Sequence, residues 1–257
     1  MKRIWSSIAI VGLLASPSMA NETLSGKEIV TRSVEQNQIG LESGQAVMQM
    51  KIRTPKGEVH TRKLLLRAGS KKGLARVRMT FVEPRDQRGI EVLMLEQPGG
   101  ADLQYLYLPS FKKVRRIMGS AKNGRFEGSD FTYADMENRN LDEGTYRRLA
   151  DEKFAGQAVY RVDVTPRKSA QETHSLVQMW ISKKAWIPLK VVFLNLQGQR
   201  YKELKVRRLK KVNGRYIVTR ALMKNLLRGS ETDLSIGEIN GDISFSDRIF
   251  APGSLGK

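Results

Sequence analysis

Polar and apolar residues alternate with a period of two through most of the chain. Residues 46–53 read AVMQMKIR and residues 74–82 read LARVRMTFV, with every second residue apolar. Such alternation is typical of strands that have one covered and one wet face. Turn signals, such as Pro-Lys-Gly at 55–57 and Asn-Gly at 213–214, separate these runs. The pattern predicts about a dozen strands at hairpin spacing, as in a sandwich or a barrel.

Two segments depart from this alternation. Residues 24–37 predict a helix, in which Ser25 as N-cap and Glu28 have the spacing of a capping box. Residues 119–141 are rich in Gly, Ser, Asp and Asn and predict a loop with a short helix around 133–138. A long antiparallel meander tends to curl, and a half-closed one needs cover over its concave face, for which the N-terminal helix and residues 119–141 are the candidate lids. We therefore predict a mainly β fold, a single antiparallel half-barrel with short helices covering the concave face.

The first twenty residues have the three parts of a secretory signal peptide. Lys2 and Arg3 precede the apolar stretch Ile4–Leu14, and small residues flank Met19. The apolar stretch has eleven residues, whereas a helix that spans a bilayer needs ~20. We predict cleavage after Ala20, a mature domain of residues 21–257 and export to the periplasm.

The net charge of the chain limits the kinds of molecule that it is expected to bind. The chain has a formal net charge of +19, and without the signal it holds 43 basic and 26 acidic residues, a net charge of +17. A basic excess favours nucleic acid or an anionic membrane surface, and export excludes nucleic acid. Basic residues cluster at 112–116 and at 202–211. Each cluster is either a solvated face that protects a strand edge or a docking site for acidic headgroups or an acidic partner, with peripheral membrane contact.

Catalytic and metal-binding patterns are weak in this chain. It contains no cysteine, which excludes disulfides, cysteine ligands and cysteine nucleophiles. His60 and His174 are far apart and have no carboxylate at ligand spacing, so neither a metal nor another cofactor is predicted. Asp130 and Asp135 form a candidate acid–base pair, but aspartates in a Gly- and Ser-rich loop commonly cap a turn. We predict that the protein is not an enzyme; a hydrolase acting on envelope lipids through these aspartates is the remote alternative.

The apolar face of the predicted strands offers candidates for a ligand cavity. Methionine is flexible and polarizable, which suits a cavity for variable acyl chains, although an ordinary β-core has the same periodicity. An error of one residue in register would invert the choice of face. The residues predicted to line a hydrophobic cavity are Met48, Met50, Val77, Met79, Phe81, Tyr105 and Trp180. Arg115 and Arg116 are predicted to meet a headgroup or an acidic partner.

Motifs between residues 81 and 135 resemble those of a known family. The chain reads FVEPRDQRG, then DLQYLYLPSFKKVRRI, then FEGSDFTYADM. These motifs are similar to those of the outer-membrane lipoprotein-sorting proteins, the LolA-like family. The matching positions are Pro84, Asp86 and Gly89; Tyr107, Leu108 and Pro109; Lys113, Arg115 and Arg116; Gly128, Ser129, Asp130, Phe131, Tyr133 and Asp135; and later Trp180, Ile181, Ile187 to Lys190, Gly198 and Phe250.

The resemblance implies an open half-barrel and a periplasmic carrier whose hydrophobic cavity shields acyl chains. Its cargo would be a lipid or a lipoprotein, received from an inner-membrane transporter and passed to an outer-membrane acceptor. This branch is similar to proteins associated with RND-type exporters. The alternative function is a periplasmic sensor of the same fold that binds a membrane partner and signals envelope stress.

Overall fold

The chain forms one large antiparallel sheet that does not close. The computed structural model describes residues 24–37, 43–98, 100–137, 144–167, 173–241 and 243–257; the predicted signal peptide and its cleavage site lie outside them. The strands are β1 (Gly44–Arg53), β2 (Val59–Lys71), β3 (Leu74–Glu83), β4 (Glu91–Leu95), β5 (Leu103–Leu108), β6 (Lys113–Ile117), β7 (Gly144–Phe154), β8 (Gln157–Pro166), β9 (Leu176–Ser182), β10 (Pro188–Leu194), β11 (Arg200–Val212), β12 (Arg215–Asn225) and β13 (Ser230–Asn240).

The sheet consists of two meanders, β1 to β6 and β7 to β13, which meet where β1 pairs with β13. The strand order runs β6-β5-β4-β3-β2-β1-β13-β12-β11-β10-β9-β8-β7, so the first and last strands of the chain pair at the centre. β6 and β7 stand at the two ends of the order. The sequence-based prediction of a mainly β, unclosed antiparallel fold with helical cover is confirmed.

The single α-helix of the described residues, α1 (Gly26–Asn37), begins where the sequence predicts. The Ser25 backbone N–H donates to Glu28 Oε2 at 2.7 Å, and the Glu28 N–H donates to Ser25 Oγ at 3.2 Å. This is the predicted capping box, and its hydrogen bonds hold the pKa of Glu28 below its ordinary value. Ile29 is fully buried and packs with Val162 and Ile181, so the helix covers the sheet at β8 and β9.

Consecutive hairpins place their turns at alternate ends of the strands, because every pair of neighbours is antiparallel. One end, here called the hairpin rim, holds the turns at 54–58, 84–90, 109–112, 195–199 and 226–229. The other end, the opposite rim, holds those at 72–73, 96–102, 155–156, 183–187 and 213–214. β6 ends at the opposite rim and β7 begins at the hairpin rim, and residues 118–137, which follow β6, lie across one face of the sheet.

The two faces of the sheet are covered by different parts of the chain. The covered face is the one on which α1 and residues 118–137 lie, and the predicted alternation places Ala46, Met48, Met50 and Ile52 of β1 there, all buried. One apolar cluster extends along this face from β6 to β9. On the opposite, outer face, the C-terminal segment packs against β4 and β5.

The C-terminal segment is held on the outer face by a buried ion pair. Phe250 and Leu255 pack against Leu93, which is fully buried. Beneath them Arg78 Nη2 donates to both carboxylate oxygens of Glu91 at 2.7 Å. Arg78 Nη1 also donates to a backbone carbonyl of the segment, and a backbone N–H of the segment donates to Glu91 Oε2 at 2.8 Å. The pair therefore joins β3, β4 and the end of the chain.

We expect Glu91→Gln to lower the free energy of unfolding by about 3 kcal/mol, because it leaves the Arg78 guanidinium buried without a counter-charge. Glu231→Gln is the matched control, since Glu231 faces Arg53 and Lys224 in partly exposed ion pairs and should cost less than about 1 kcal/mol. Urea unfolding followed by circular dichroism measures both. Equal losses would show that the buried pair does not stabilise the protein in this way.

Candidate functional site

Residues 118–137, here called the lid, cross the covered face of the sheet. Three of its aromatic side chains, Phe126, Phe131 and Tyr133, are buried in the apolar cluster. Phe126 lies between Phe81 of β3 and Tyr133, with ring centroids 6.0 and 5.5 Å apart, the second pair edge to face. The lid thus places its three aromatic side chains against the sheet.

Asp130 anchors the lid to β13. Its carboxylate accepts hydrogen bonds from Ser230 Oγ at 2.5 Å and from Thr232 Oγ1 at 2.8 Å. The Asp130 backbone N–H donates in turn to Thr232 Oγ1 at 2.9 Å. All three residues are buried. The hydroxyls are the partners that a buried carboxylate needs.

Asp135 makes a second anchor, to β11. Lys202 Nζ donates to its two carboxylate oxygens at 2.9 and 2.8 Å. Only 3% of the Lys202 side chain and 6% of the Asp135 side chain are exposed, so this ion pair is buried under the lid. Asp135 also accepts from the Thr132 backbone N–H at 2.7 Å, which is the turn-capping role that the sequence favours.

The two aspartates therefore serve as structural anchors. Each is saturated by residues of the sheet or of its own turn. Within the part of the chain that the structure describes, no group of three or more His, Asp or Glu is arranged to hold a metal ion. The geometry accordingly favours the structural interpretation of this pair over the catalytic one.

Hydrogen bonds inside the lid keep its shape. The Tyr133 hydroxyl donates to Glu127 Oε1 at 2.9 Å. Burial, and then the Glu127 charge, raise the pKa of Tyr133, so the phenol stays protonated and remains a donor. Arg125 donates to the carbonyls of Gly128 and Ser129. Burial and the nearby charge of Arg228 lower the pKa of Arg125, while Asp130 opposes them.

Five of the seven residues predicted to line a cavity lie together beneath the lid. They share the covered face of β1 and β3 and are at most 5% exposed. These residues are Met48, Met50, Val77, Met79 and Phe81.

The placement of Tyr105 and Trp180 on this face is wrong. Tyr105 lies on the outer face and packs against the C-terminal segment. Its neighbour Gln104 is the buried residue on the covered side, because its amide donates to a backbone carbonyl of the lid at 2.9 Å. Trp180 is stacked between two cations on the outer side, with Arg161 at 3.6 Å and Lys190 at 4.5 Å from its ring centroid.

Several buried residues of the covered face were not predicted from the sequence. β2 contains three consecutive leucines, Leu64 to Leu66, which hide its alternation; Leu64 and Leu66 are buried on the covered face, whereas Leu65 is not. Phe126 and Phe131 stand in a polar, turn-rich segment that predicts a surface loop. The sequence indicates residues 119–141 as a candidate cover of the sheet, and the aromatic residues within this polar stretch are the signal for which of its side chains are buried.

The predicted basic surfaces divide in the structure. Arg115 and Arg116 are exposed on β6, which pairs with β5 alone among the described strands. The run at 202–211 is not a single surface, because Lys202 is buried under the lid and Lys205 pairs with Glu203 at 2.6 Å.

The side chains of the apolar cluster under the lid are buried. A pocket of about 500 Å³ lies instead at the outer face of β1 and of β11 to β13, where it is lined largely by polar and charged residues, among them Lys51, Arg220 and Asp233. An apolar space on the covered face therefore requires that the lid move away. Among the described residues no helix is both long and apolar enough to cross a bilayer.

Comparisons with known proteins agree with this architecture. A family profile described only as an uncharacterized protein matches residues 73–257. No match was found among curated proteins. A solved outer membrane lipoprotein-sorting protein domain from Vibrio parahaemolyticus is 28% identical, with a TM-score of 0.82 over 90% of this chain and 98% of that one.

Two further solved structures are similar. A DUF1329 family protein from Desulfovibrio piger is 26% identical, with a TM-score of 0.81 over 91% of this chain and 100% of that one. A LolA superfamily protein from Nitrosomonas europaea is 16% identical, with a TM-score of 0.67 over 89% of this chain and 98% of that one, which is a likeness of fold alone.

We expect Asp135→Asn to loosen the lid, because it leaves the Lys202 ammonium buried and without its carboxylate. Hydrogen exchange of the amides in residues 118–137 should accelerate by roughly tenfold or more, with much smaller changes in the strands. Asp233→Asn, which removes a partly exposed partner of Arg220 on the outer face, is the control and should leave the lid unchanged. A uniform rise across the sheet would contradict a separately opening lid.

Proposed function

We propose, because this chain belongs to the LolA-like family, that it is a periplasmic carrier of a lipid or of lipoprotein acyl chains. The apolar covered face of the sheet would bind the acyl chains after the lid opens. The sorting protein domain named in the comparison from Vibrio parahaemolyticus supports this class of cargo. The donor would be an inner-membrane transporter, of the RND type, and the acceptor would lie at the outer membrane.

The observation that carries this proposal is the way in which the apolar face is closed. A segment with three buried aromatic side chains and two polar anchors lies over a cluster that extends along the sheet from β6 to β9. A typical core is instead closed by further packed elements with apolar faces. A cover attached in this manner can be exchanged for another apolar group.

The energies of the exchange are of comparable size. Burial of one large apolar side chain is worth ~1.5–3 kcal/mol, so burial of the three lid aromatics stabilises the closed lid by roughly 5–9 kcal/mol. An acyl chain that buries about fifteen methylenes would gain on the order of 12 kcal/mol at ~0.8 kcal/mol each. Burial of the acyl chain can therefore offset the exposure of the lid aromatics, whereas opening the lid to water offers no such gain.

Native mass spectrometry of the exported protein, purified without detergent, is the first test. The expected result is a discrete added mass that dissociates as lipid and is identified after extraction. A bare protein mass, together with no uptake of a fluorescent fatty acid, would overturn the carrier function. A tight, stoichiometric protein partner under those conditions would support the sensor function in its place.

A disulfide that locks the lid should block cargo uptake. The chain has no cysteine of its own, and the Asp130 main chain lies 2.9 Å from Thr232 Oγ1, so Asp130→Cys with Thr232→Cys would introduce the only thiols. We expect the oxidised variant to exclude a fluorescent fatty acid and the reduced variant to bind it. The control is Thr232→Cys alone, which an oxidant should not affect. Equal uptake by the oxidised and reduced double variant, with the disulfide verified by mass, would show that cargo does not enter under the lid.

A further inference from the structure

Exposed apolar side chains are concentrated at one end of the strands. Seven large hydrophobic residues are exposed in the described parts of the chain, and five of them lie at the hairpin rim. These five are Val59, Phe111, Leu196, Leu226 and Leu227, which are 48–68% exposed. Met118, which is 59% exposed, lies next to the opposite rim, and Val114 lies on β6. The five side chains at the hairpin rim, here called the apolar tips, are therefore exposed to water in a row along one edge of the molecule.

The same turns are basic. They carry Lys56, Arg85, Arg88, Lys112 and Arg228 against two acids, Glu58 and Asp86. All five cations are exposed, and none of them forms an ion pair with another described residue. The turns at the opposite rim are nearly balanced, with three basic and two acidic residues. The hairpin rim thus combines unneutralised positive charge with apolar tips.

The spacing of the tips favours a fluid partner. Consecutive turns along this rim are separated by two strands, or about 10 Å. A protein interface is usually built around a contiguous buried patch, whereas separate apolar points beside cations suit the boundary between headgroups and acyl chains. A bilayer adapts to each tip individually.

We propose that the hairpin rim docks on an anionic lipid surface. Phe111, Leu196 and Leu227 enter the headgroup boundary, and the neighbouring Lys112 and Arg228 meet lipid phosphates. This inference goes beyond the carrier function, because it rests on the rim alone and not on any cargo.

The docking rim adjoins an anchor of the lid. The turn at 226–229 leads directly into Ser230, whose hydroxyl holds Asp130. Arg228 in this turn is close enough to Arg125 of the lid to lower the pKa of that guanidinium, an effect that comes second to burial. Docking therefore brings the Asp130 anchor next to the membrane surface; this step does rest on the proposed carrier function.

Cosedimentation with vesicles tests the apolar tips. The exported protein should bind vesicles of phosphatidylethanolamine and phosphatidylglycerol and leave vesicles of phosphatidylcholine in solution. Phe111→Ser with Leu227→Ser should weaken binding by roughly tenfold or more, the factor for a loss of 1.4 kcal/mol. Met118→Ser is the control: this side chain is 59% exposed at the start of the lid, near the opposite rim, so the variant should bind vesicles as the parent protein does, whatever its effect on cargo.

A matched charge swap tests the cations. Lys112→Glu with Arg228→Glu should abolish binding to the anionic vesicles, and salt should weaken the binding of the parent protein. Lys72→Glu with Lys184→Glu makes the same change of net charge at the opposite rim and should retain most of the binding.

Two outcomes would overturn the docking proposal. One is that the parent protein does not bind anionic vesicles. This outcome overturns the proposal even if the rim variants prove to have lost the binding of a protein partner. The other is that variants of the two rims lose binding equally. Native mass spectra of the rim variants keep the two proposals apart, because a retained cargo mass would leave the carrier function standing while docking fails.

Discussion

An apolar face on an open sheet must be kept from water, and most of this structure follows from how the chain meets that constraint. A closed barrel would hide the face by pairing its first and last strands. Here β6 and β7 stand at the ends of the strand order, so the face is covered by α1 and by the segment that returns from β6 to β7. The covering is thus supplied by the connection itself, and its hold on the sheet decides whether the face can be opened.

The two coverings of the sheet are attached in different ways. On the outer face, Arg78 and Glu91 hold the C-terminal segment by an ion pair, in which Arg78 Nη2 donates to both carboxylate oxygens, and by further hydrogen bonds to the backbone of the segment. On the covered face, the lid is held by aromatic packing and by the carboxylates of Asp130 and Asp135 at its margin. The first is a lasting closure. The second is the closure that, under the proposed function, a ligand burying as much apolar surface would replace.

The two rims of the sheet also differ, so that the two ends of the strands are suited to different surroundings. Apolar tips and unneutralised cations gather at the hairpin rim, beside the hydroxyl of Ser230 that anchors the lid. A carrier must reach a membrane and open there, and an arrangement of this kind would place both events at one edge. The pocket on the outer face differs from this edge, because it is lined largely by polar and charged residues.

The sequence by itself determined the strands, the helix and the class of fold, because period-two alternation, turn residues and the Ser25–Glu28 capping box act over a few residues. It also identified the apolar residues of β1 and β3. Only the tertiary structure decided the faces of Tyr105 and Trp180, since a buried Gln104 bonded to the lid and two cations stacked on Trp180 reverse what polarity alone indicates. The anchors of the lid are likewise tertiary, because Asp130 and Asp135 bind residues 100 and 67 positions away. No local pattern encodes such a distance.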